Sequence, residues 1–170
     1  MKRRLALSLG ALLAAMSFSS CSSVGNTDLV AEVSGHELSR DQLAALTNDS
    51  VVMSLYSSPP GGRLAGDLVR GLISNWIILT SVESEGLLDD VTDAQANDLI
   101  DAQLGSLFAE ASPEGAAYIM NIAKITYATQ NNSLDAETVN AQLDASAVFV
   151  NPRFGDWDTE LRTVVPLSQG

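Results

Sequence analysis

The chain has 170 residues, of which 46% are hydrophobic, and its formal net charge is −12. Nucleic acids and anionic lipid surfaces attract clustered Lys and Arg side chains, so this excess of acid argues against both kinds of partner, although solubility alone would also explain the charge. The single cysteine excludes a framework of internal disulfides.

The N-terminus has the layout of a secretory signal peptide. Basic residues at 2–4 precede an apolar run at 5–18 that is too short to span a bilayer permanently, and Ser19, Ser20 and Cys21 follow. This site is similar to a bacterial lipobox, in which the Cys becomes the lipid-modified first residue, although Phe18 stands where Leu is commoner. We therefore predict removal of residues 1–20 and lipidation of Cys21. The alternative is an ordinary signal peptide that leaves a free thiol.

The mature chain would be one domain of ordinary size. Its net charge would be −15, because three of the nine basic residues would be removed and all 21 acidic residues kept. Residues 21–28 are mostly small and polar, and they predict a tether of at most ~25 Å. The folded body would then stay close to the outer face of a bacterial cell membrane.

The mature chain begins with a predicted β-hairpin. Apolar and polar residues alternate at Leu29–Val33 and again at 36–38, and Ser34 and Gly35 stand between them. Such alternation is typical of half-buried strands, and the Gly suits a turn position with positive φ.

The first helix is predicted to start at Ser39, since Gln42 follows three residues later and completes a capping box. Paired prolines and glycines within residues 57–62 cannot continue a helix, so this stretch predicts a hinge after the first small element.

A long central helix is predicted from the apolar residues that recur at three- and four-residue spacing between 64 and 82. It should stop near Gly86. Apolar positions nearly encircle it around residues 76–79, so we expect this helix to be covered on several sides there and Trp76 to be buried.

Three further helices follow in the predicted order. Thr92 and Gln95 form a second capping box. Ser112 and Pro113 have the residue types preferred at an N-cap and at a first helical position. Residues 136–145 form the last predicted helix.

The helical pattern ends in β-branched and aromatic residues at 148–158, which predict a short strand followed by a turn at Asn151 and Pro152. A strand needs a partner for its backbone N–H and C=O groups, and the only other convincing strand is Leu29–Val33. We therefore predict a mainly α domain at 29–158, closed by a small antiparallel sheet that pairs the two chain ends. Residues 159–170 are predicted to be a C-terminal tail.

Both ends of this domain resemble SurA-like chaperones. The opening segment resembles the start of their N-terminal domain and reads Val30-Ala31-Glu32-Val33-Ser34-Gly35-His36-Glu37-Leu38-Ser39-Arg40-Asp41-Gln42-Leu43. The closing segment resembles that of actinobacterial members and reads Val150-Asn151-Pro152-Arg153-Phe154-Gly155-Asp156-Trp157-Asp158, followed by Val164-Val165-Pro166.

The resemblance implies a helical domain that binds unfolded exported polypeptides. It gives no support for prolyl isomerase activity, because the chain has no room for an inserted parvulin domain and lacks paired histidines. We expect a lipid-anchored chaperone of the holdase type, without catalysis, cofactor, metal or nucleic acid. The alternative is an envelope scaffold lipoprotein that docks on one specific partner.

The candidate binding residues are Met53, Tyr56, Met120 and Phe154, since flexible Met and flat aromatic side chains tolerate many partners. Phe149 and Trp157 are instead expected to fix the closing strand against the core.

Two patterns that could suggest chemistry have plainer explanations. His36 is the only histidine, and once Cys21 is lipidated no thiol or second His remains with which it could form a nucleophile pair or a metal site. The carboxylates within residues 89–101 lack the spacing of a calcium loop and suit a solvated helix face.

We expect mass measurement of the membrane-extracted protein to show a chain that begins at Cys21 and carries lipid. A Cys21→Ala variant should be released from the membrane. An unmodified Cys21, or a variant that stays equally membrane-bound, would contradict the anchor.

Overall fold

The computed structural model describes residues 28–56 and 65–167. The predicted signal peptide, Cys21, nearly all of the tether and the hinge at 57–62 lie outside the described residues. The described helices and strands, in chain order, are β1 (Leu29–Val33), β2 (His36–Ser39), α1 (Arg40–Asn48), α2 (Ser50–Tyr56), α3 (Ala65–Ser84), α4 (Asp93–Gln103), a 3₁₀ helix (Gly105–Glu110), α5 (Pro113–Gln130), α6 (Ala136–Ala145), β3 (Val148–Val150), β4 (Asp156–Asp158) and β5 (Thr163–Val165).

The architecture is mainly α with a small antiparallel sheet, which confirms the predicted fold class. The two ends of the domain pair in a sheet of order β2-β1-β3, with Ala31 opposite Val150 and Val33 opposite Val148. Asn151 extends this pairing, because its backbone N–H donates to Val30 O at 2.8 Å and its side-chain amide donates to Leu29 O at 2.9 Å. Strands from opposite ends of the domain thus satisfy each other's backbone groups.

Side-chain alternation along β3 decides which of its residues enters the core. Val150 is 7% exposed, whereas its neighbour Phe149 is 37% exposed. Successive side chains on a strand point to opposite faces, so burial of Val150 turns Phe149 outward. The expectation that Phe149 fixes the strand against the core is therefore wrong, while Trp157 is partly buried and packs against the core as expected.

The predicted helix starts are confirmed by their capping bonds. Ser39 accepts from the Gln42 backbone N–H at 3.2 Å, and the Ser39 backbone N–H donates to the Gln42 side chain at 2.9 Å. Thr92 and Gln95 form the same reciprocal pair. Ser112 caps α5, whose first residue is Pro113.

The folded body continues into the predicted tail. β4 and β5 form a hairpin, and Val164 on β5 is only 4% exposed. At Gly155, where φ is +139°, a Cβ atom would overlap the Val165 carbonyl oxygen, so this close approach of the two strands requires glycine. Residues 163–165 therefore belong to the domain rather than to a tail.

Helix α3 forms the centre of the core and contacts β1, β5, α5 and α6. Leu72, Ile73 and Ile77 are fully buried on it. Two buried serines on the same helix hold later segments of the chain. Ser74 accepts the Val164 backbone N–H at 2.8 Å, and Ser81 lies 2.6 Å, Oγ to Oγ, from Ser146 at the end of α6.

We expect Ser74→Ala to lower the free energy of unfolding by about 1–3 kcal/mol, because the buried Val164 N–H would lose its acceptor. Urea unfolding measures this loss. Ser54→Ala is the matched control, since the Ser54 hydroxyl only donates to Val51 O within its own helix. Equal losses for the two variants would show that Ser74 does not hold β5.

Candidate functional site

A groove of about 220 Å³ opens between α1, α3 and α5. We call it the α1–α3–α5 groove. Its apolar lining comprises Leu38, Leu46, Trp76, Leu79, Ala117 and Tyr118, and its polar lining comprises Gln42, Thr80, Glu83, Glu114 and Asn121. The apolar surface offers burial to a ligand, and the polar groups could orient it.

Trp76 is the largest side chain of this groove. It was expected to be buried, but it is only partly buried and lines the groove. The apolar stripe of α3 is wider than the surface that neighbouring elements cover, so part of the indole stays accessible. The expected full burial of Trp76 is therefore wrong, whereas the expectation that α3 is covered on several sides is confirmed by its contacts with β1, β5, α5 and α6.

Asp49 holds the walls of the groove together. Its Oδ1 accepts the backbone N–H groups of Val51 at 2.9 Å and Val52 at 3.1 Å, which caps α2. Its Oδ2 accepts the Ser112 backbone N–H at 2.7 Å and the Ser112 hydroxyl at 2.8 Å, at the start of α5. One carboxylate therefore joins the N-terminal ends of two helices, where the backbone favours negative charge.

The space around Asp49 is closely fitted. A Cβ atom at Gly115 would overlap the Asp49 carboxylate, so the first turn of α5 can approach it only with glycine there. Asp49 itself is 7% exposed. Burial raises the pKa of its carboxyl, but the hydrogen bonds from Ser112, Val52 and Val51 outweigh burial and hold the pKa below its ordinary value of 3.8.

Tyr118, which lines the groove, belongs to a hydrogen-bonded network with Tyr56 and Asn75. The Tyr118 and Tyr56 hydroxyls are hydrogen-bonded to each other, and the Asn75 side-chain amide donates to the Tyr56 hydroxyl at 2.6 Å. Burial, together with the neighbouring Tyr56, raises the pKa of Tyr118 far above its ordinary value. Tyr118 therefore stays neutral and offers its ring to the groove.

A second cleft, of about 180 Å³, lies between α3 and α5 and shares Leu79 with the groove. Its apolar lining consists of Ile78, Leu79, Ile122 and Ile125. Partly buried apolar side chains thus continue along the α3–α5 contact beyond the groove itself.

The structure places the four predicted binding residues apart from this groove. Met53, Tyr56, Met120 and Phe154 are partly buried and pack against the core, and none of them lines the groove. Tyr56 contributes indirectly through its bond to Tyr118. Phe154 lies under the Arg40 guanidinium, with 5.9 Å from Arg40 Cζ to the ring centroid.

The groove residues could not be recognised in the sequence, because strand β2 and three separate helices supply them. The available signal was the spacing of Trp76, Thr80 and Glu83, which lie four and three residues apart and so share one face of the predicted helix. Such polar residues mark the side of the helix where its neighbours do not close over it.

Within residues 28–56 and 65–167, no three His, Cys, Asp or Glu side chains are placed to hold a metal ion. His36 is exposed in β2. None of the described helices is long and apolar enough to cross a membrane.

Comparison of the chain with protein-family models, with curated proteins and with solved structures gave no match. The resemblance to SurA-like chaperones, and with it the predicted family and location, therefore stays a prediction.

We expect Asp49→Asn to lower the free energy of unfolding by about 2 kcal/mol at neutral pH, because an amide cannot accept at both helix starts. The loss should depend on pH. A carboxyl whose folded pKa is lowered stabilises the fold above its unfolded pKa, and that stabilisation disappears as the pH falls from 3.8 through the lowered value. Wild type and variant should therefore converge in acid.

Asp135→Asn is the comparison, since Asp135 caps α6 alone, at an exposed position, and accepts the Thr138 backbone N–H at 2.8 Å. Hydrogen bonds from Thr138 also lower the pKa of Asp135, so this variant should show the same sign of pH dependence but a smaller loss, because only one helix start depends on this carboxylate. Urea unfolding between neutral pH and about pH 3 makes the comparison. A pH-independent difference between wild type and Asp49→Asn would contradict the role of the charge.

Proposed function

We propose that this protein is a lipid-anchored extracytoplasmic chaperone that holds apolar segments of unfolded polypeptides in the α1–α3–α5 groove, without catalysis. The observation that carries the proposal is the partly exposed Trp76 among leucines in an open groove with a polar rim. An indole offers a large apolar face and tolerates many neighbours, which suits a binder of varied segments.

The size of the groove favours a polypeptide segment over a small ligand. Pockets that enclose small molecules usually measure about 300–1,000 Å³, and this groove measures about 220 Å³. It can accept one or two side chains of a longer chain that continues outside. Fully burying one large apolar side chain contributes about 1.5–3 kcal/mol, so each contact would be weak and reversible.

The geometry around the groove suits repeated weak contacts. The neighbouring cleft lined by Ile78, Ile122 and Ile125 shares Leu79 with it, so an extended segment could cover both. Asp49 and the Tyr118–Tyr56 pair hold the walls in place, which lowers the ordering cost of each contact.

We expect the soluble chain from residue 22 to slow the aggregation of a denatured client, measured by light scattering. The effect should persist at high salt, because apolar burial is not screened. Ala117→Trp should fill the groove and raise the protein-to-client ratio needed for half suppression by about tenfold, the effect of ~1.4 kcal/mol. Ala117 is exposed, so the larger side chain need not enter the core.

The matched control is Ala102→Trp, which adds the same indole at an exposed position on α4 outside the groove. It should behave as wild type. No suppression by the wild-type chain at any ratio would favour the scaffold alternative, in which one partner binds stoichiometrically. Equal effects of the two tryptophans would exclude the groove as the binding site.

A further inference from the structure

The rim of the α1–α3–α5 groove carries negative charge on both of its longer helices. Glu83 lies on α3 and Glu114 lies on α5, and both line the groove. The Asn121 side-chain amide, also in the lining, donates to Glu83 Oε2 at 2.7 Å. This bond keeps the Glu83 carboxylate beside the apolar surface.

No positive charge opposes these carboxylates among the described residues that line the groove. None of the five Lys and Arg residues in the described ranges lines the groove, and four of them have partners elsewhere. Arg70 pairs with Asp67 at 2.5 Å. Lys124 pairs with Asp93 at 2.7 Å, Arg162 pairs with Asp144 at 2.6 Å, and Arg40 lies over Phe154. The groove therefore has an apolar floor and an acidic rim, and no Lys or Arg side chain of the described residues forms an ion pair with the rim carboxylates.

We propose that the preferred occupant of the groove is an extended polypeptide segment in which a Lys or Arg stands next to a large apolar residue. This proposal rests on the function proposed above and names the class of segment that is bound. The apolar residue would enter the floor between Leu46, Trp76 and Leu79. The neighbouring Lys or Arg would place its long apolar stem along the wall and its charge at Glu83 or Glu114.

Two physical effects favour this pairing. A cation that docks beside apolar surface is less screened by water than one on an open face, so its attraction to the rim carboxylates is stronger there. The partly exposed indole of Trp76 offers a further attraction to a cation that approaches its face. Segments rich in Asp or Glu would be repelled by the same rim, which makes the groove selective by charge as well as by hydrophobicity.

The test uses three synthetic peptides with identical apolar residues, in which the residues flanking them are lysines, glutamines or glutamates. Binding to the chain from residue 22, which contains every described residue, is measured by calorimetry at low salt. We expect affinities in the order lysine, glutamine, glutamate. Glu83→Gln and Glu114→Gln should each lower the preference for the lysine peptide over the glutamine peptide about threefold, the size expected of one exposed ion pair.

Glu137→Gln is the control, because Glu137 is an exposed glutamate on α6 outside the groove. In about 1 M salt, where the Debye length is ~3 Å, the preference for lysine should disappear and binding of the glutamine peptide should remain. Equal affinities of the three peptides at low salt, or equal effects of all three Glu substitutions, would overturn this proposal while leaving the apolar groove intact. Failure of every peptide to bind would instead contradict the proposed function itself.

Discussion

The buried carboxylate of Asp49 is the interaction on which the groove depends. It caps α2 through Val51 and Val52 and reaches across 63 positions of the chain to the start of α5 at Ser112. Without it, two helix starts would leave backbone N–H groups without acceptors, and α5, which carries Ala117 and Tyr118, would lose one of its polar connections to the α1–α2 corner. The same constraint explains the glycine at position 115, where a side chain would displace the carboxylate.

A second set of polar contacts closes the domain around α3. Ser74 and Ser81 are buried on this helix, and they hold β5 and the end of α6. The pairing of β1 with β3 then joins the two ends of the domain. These contacts fix α3 from the side opposite the groove residues Thr80 and Glu83, so α3 can leave Trp76 partly uncovered without losing its place. Polar contacts thus hold β5 and the end of α6 against α3, and the apolar surface of α3 that its neighbours leave uncovered, at Trp76, lines the groove.

Most of the fold could be predicted from the sequence, because the residues that indicate each helix or strand lie close together in the chain. Capping boxes at Ser39 and Thr92 use residues three apart, so they can be recognised without knowledge of the tertiary structure. The site could not be predicted in this way, because Asp49 acts on a residue far along the chain and three helices contribute to the groove. Phe149 was misassigned because both neighbours in its three-residue strand are also apolar, and only the pairing with β1 decides which face is inside.

The α1–α3–α5 groove is where we propose that unfolded polypeptide binds. Amide chemical-shift mapping by NMR, with an unfolded client titrated into the labelled chain from residue 22, tests this proposal most directly. We expect the shifted amides to cluster on the facing parts of α1, α3 and α5, with the Trp76 indole N–H among the most affected signals. Shifts confined to the sheet around the exposed Phe149, or spread evenly over the surface, would contradict it.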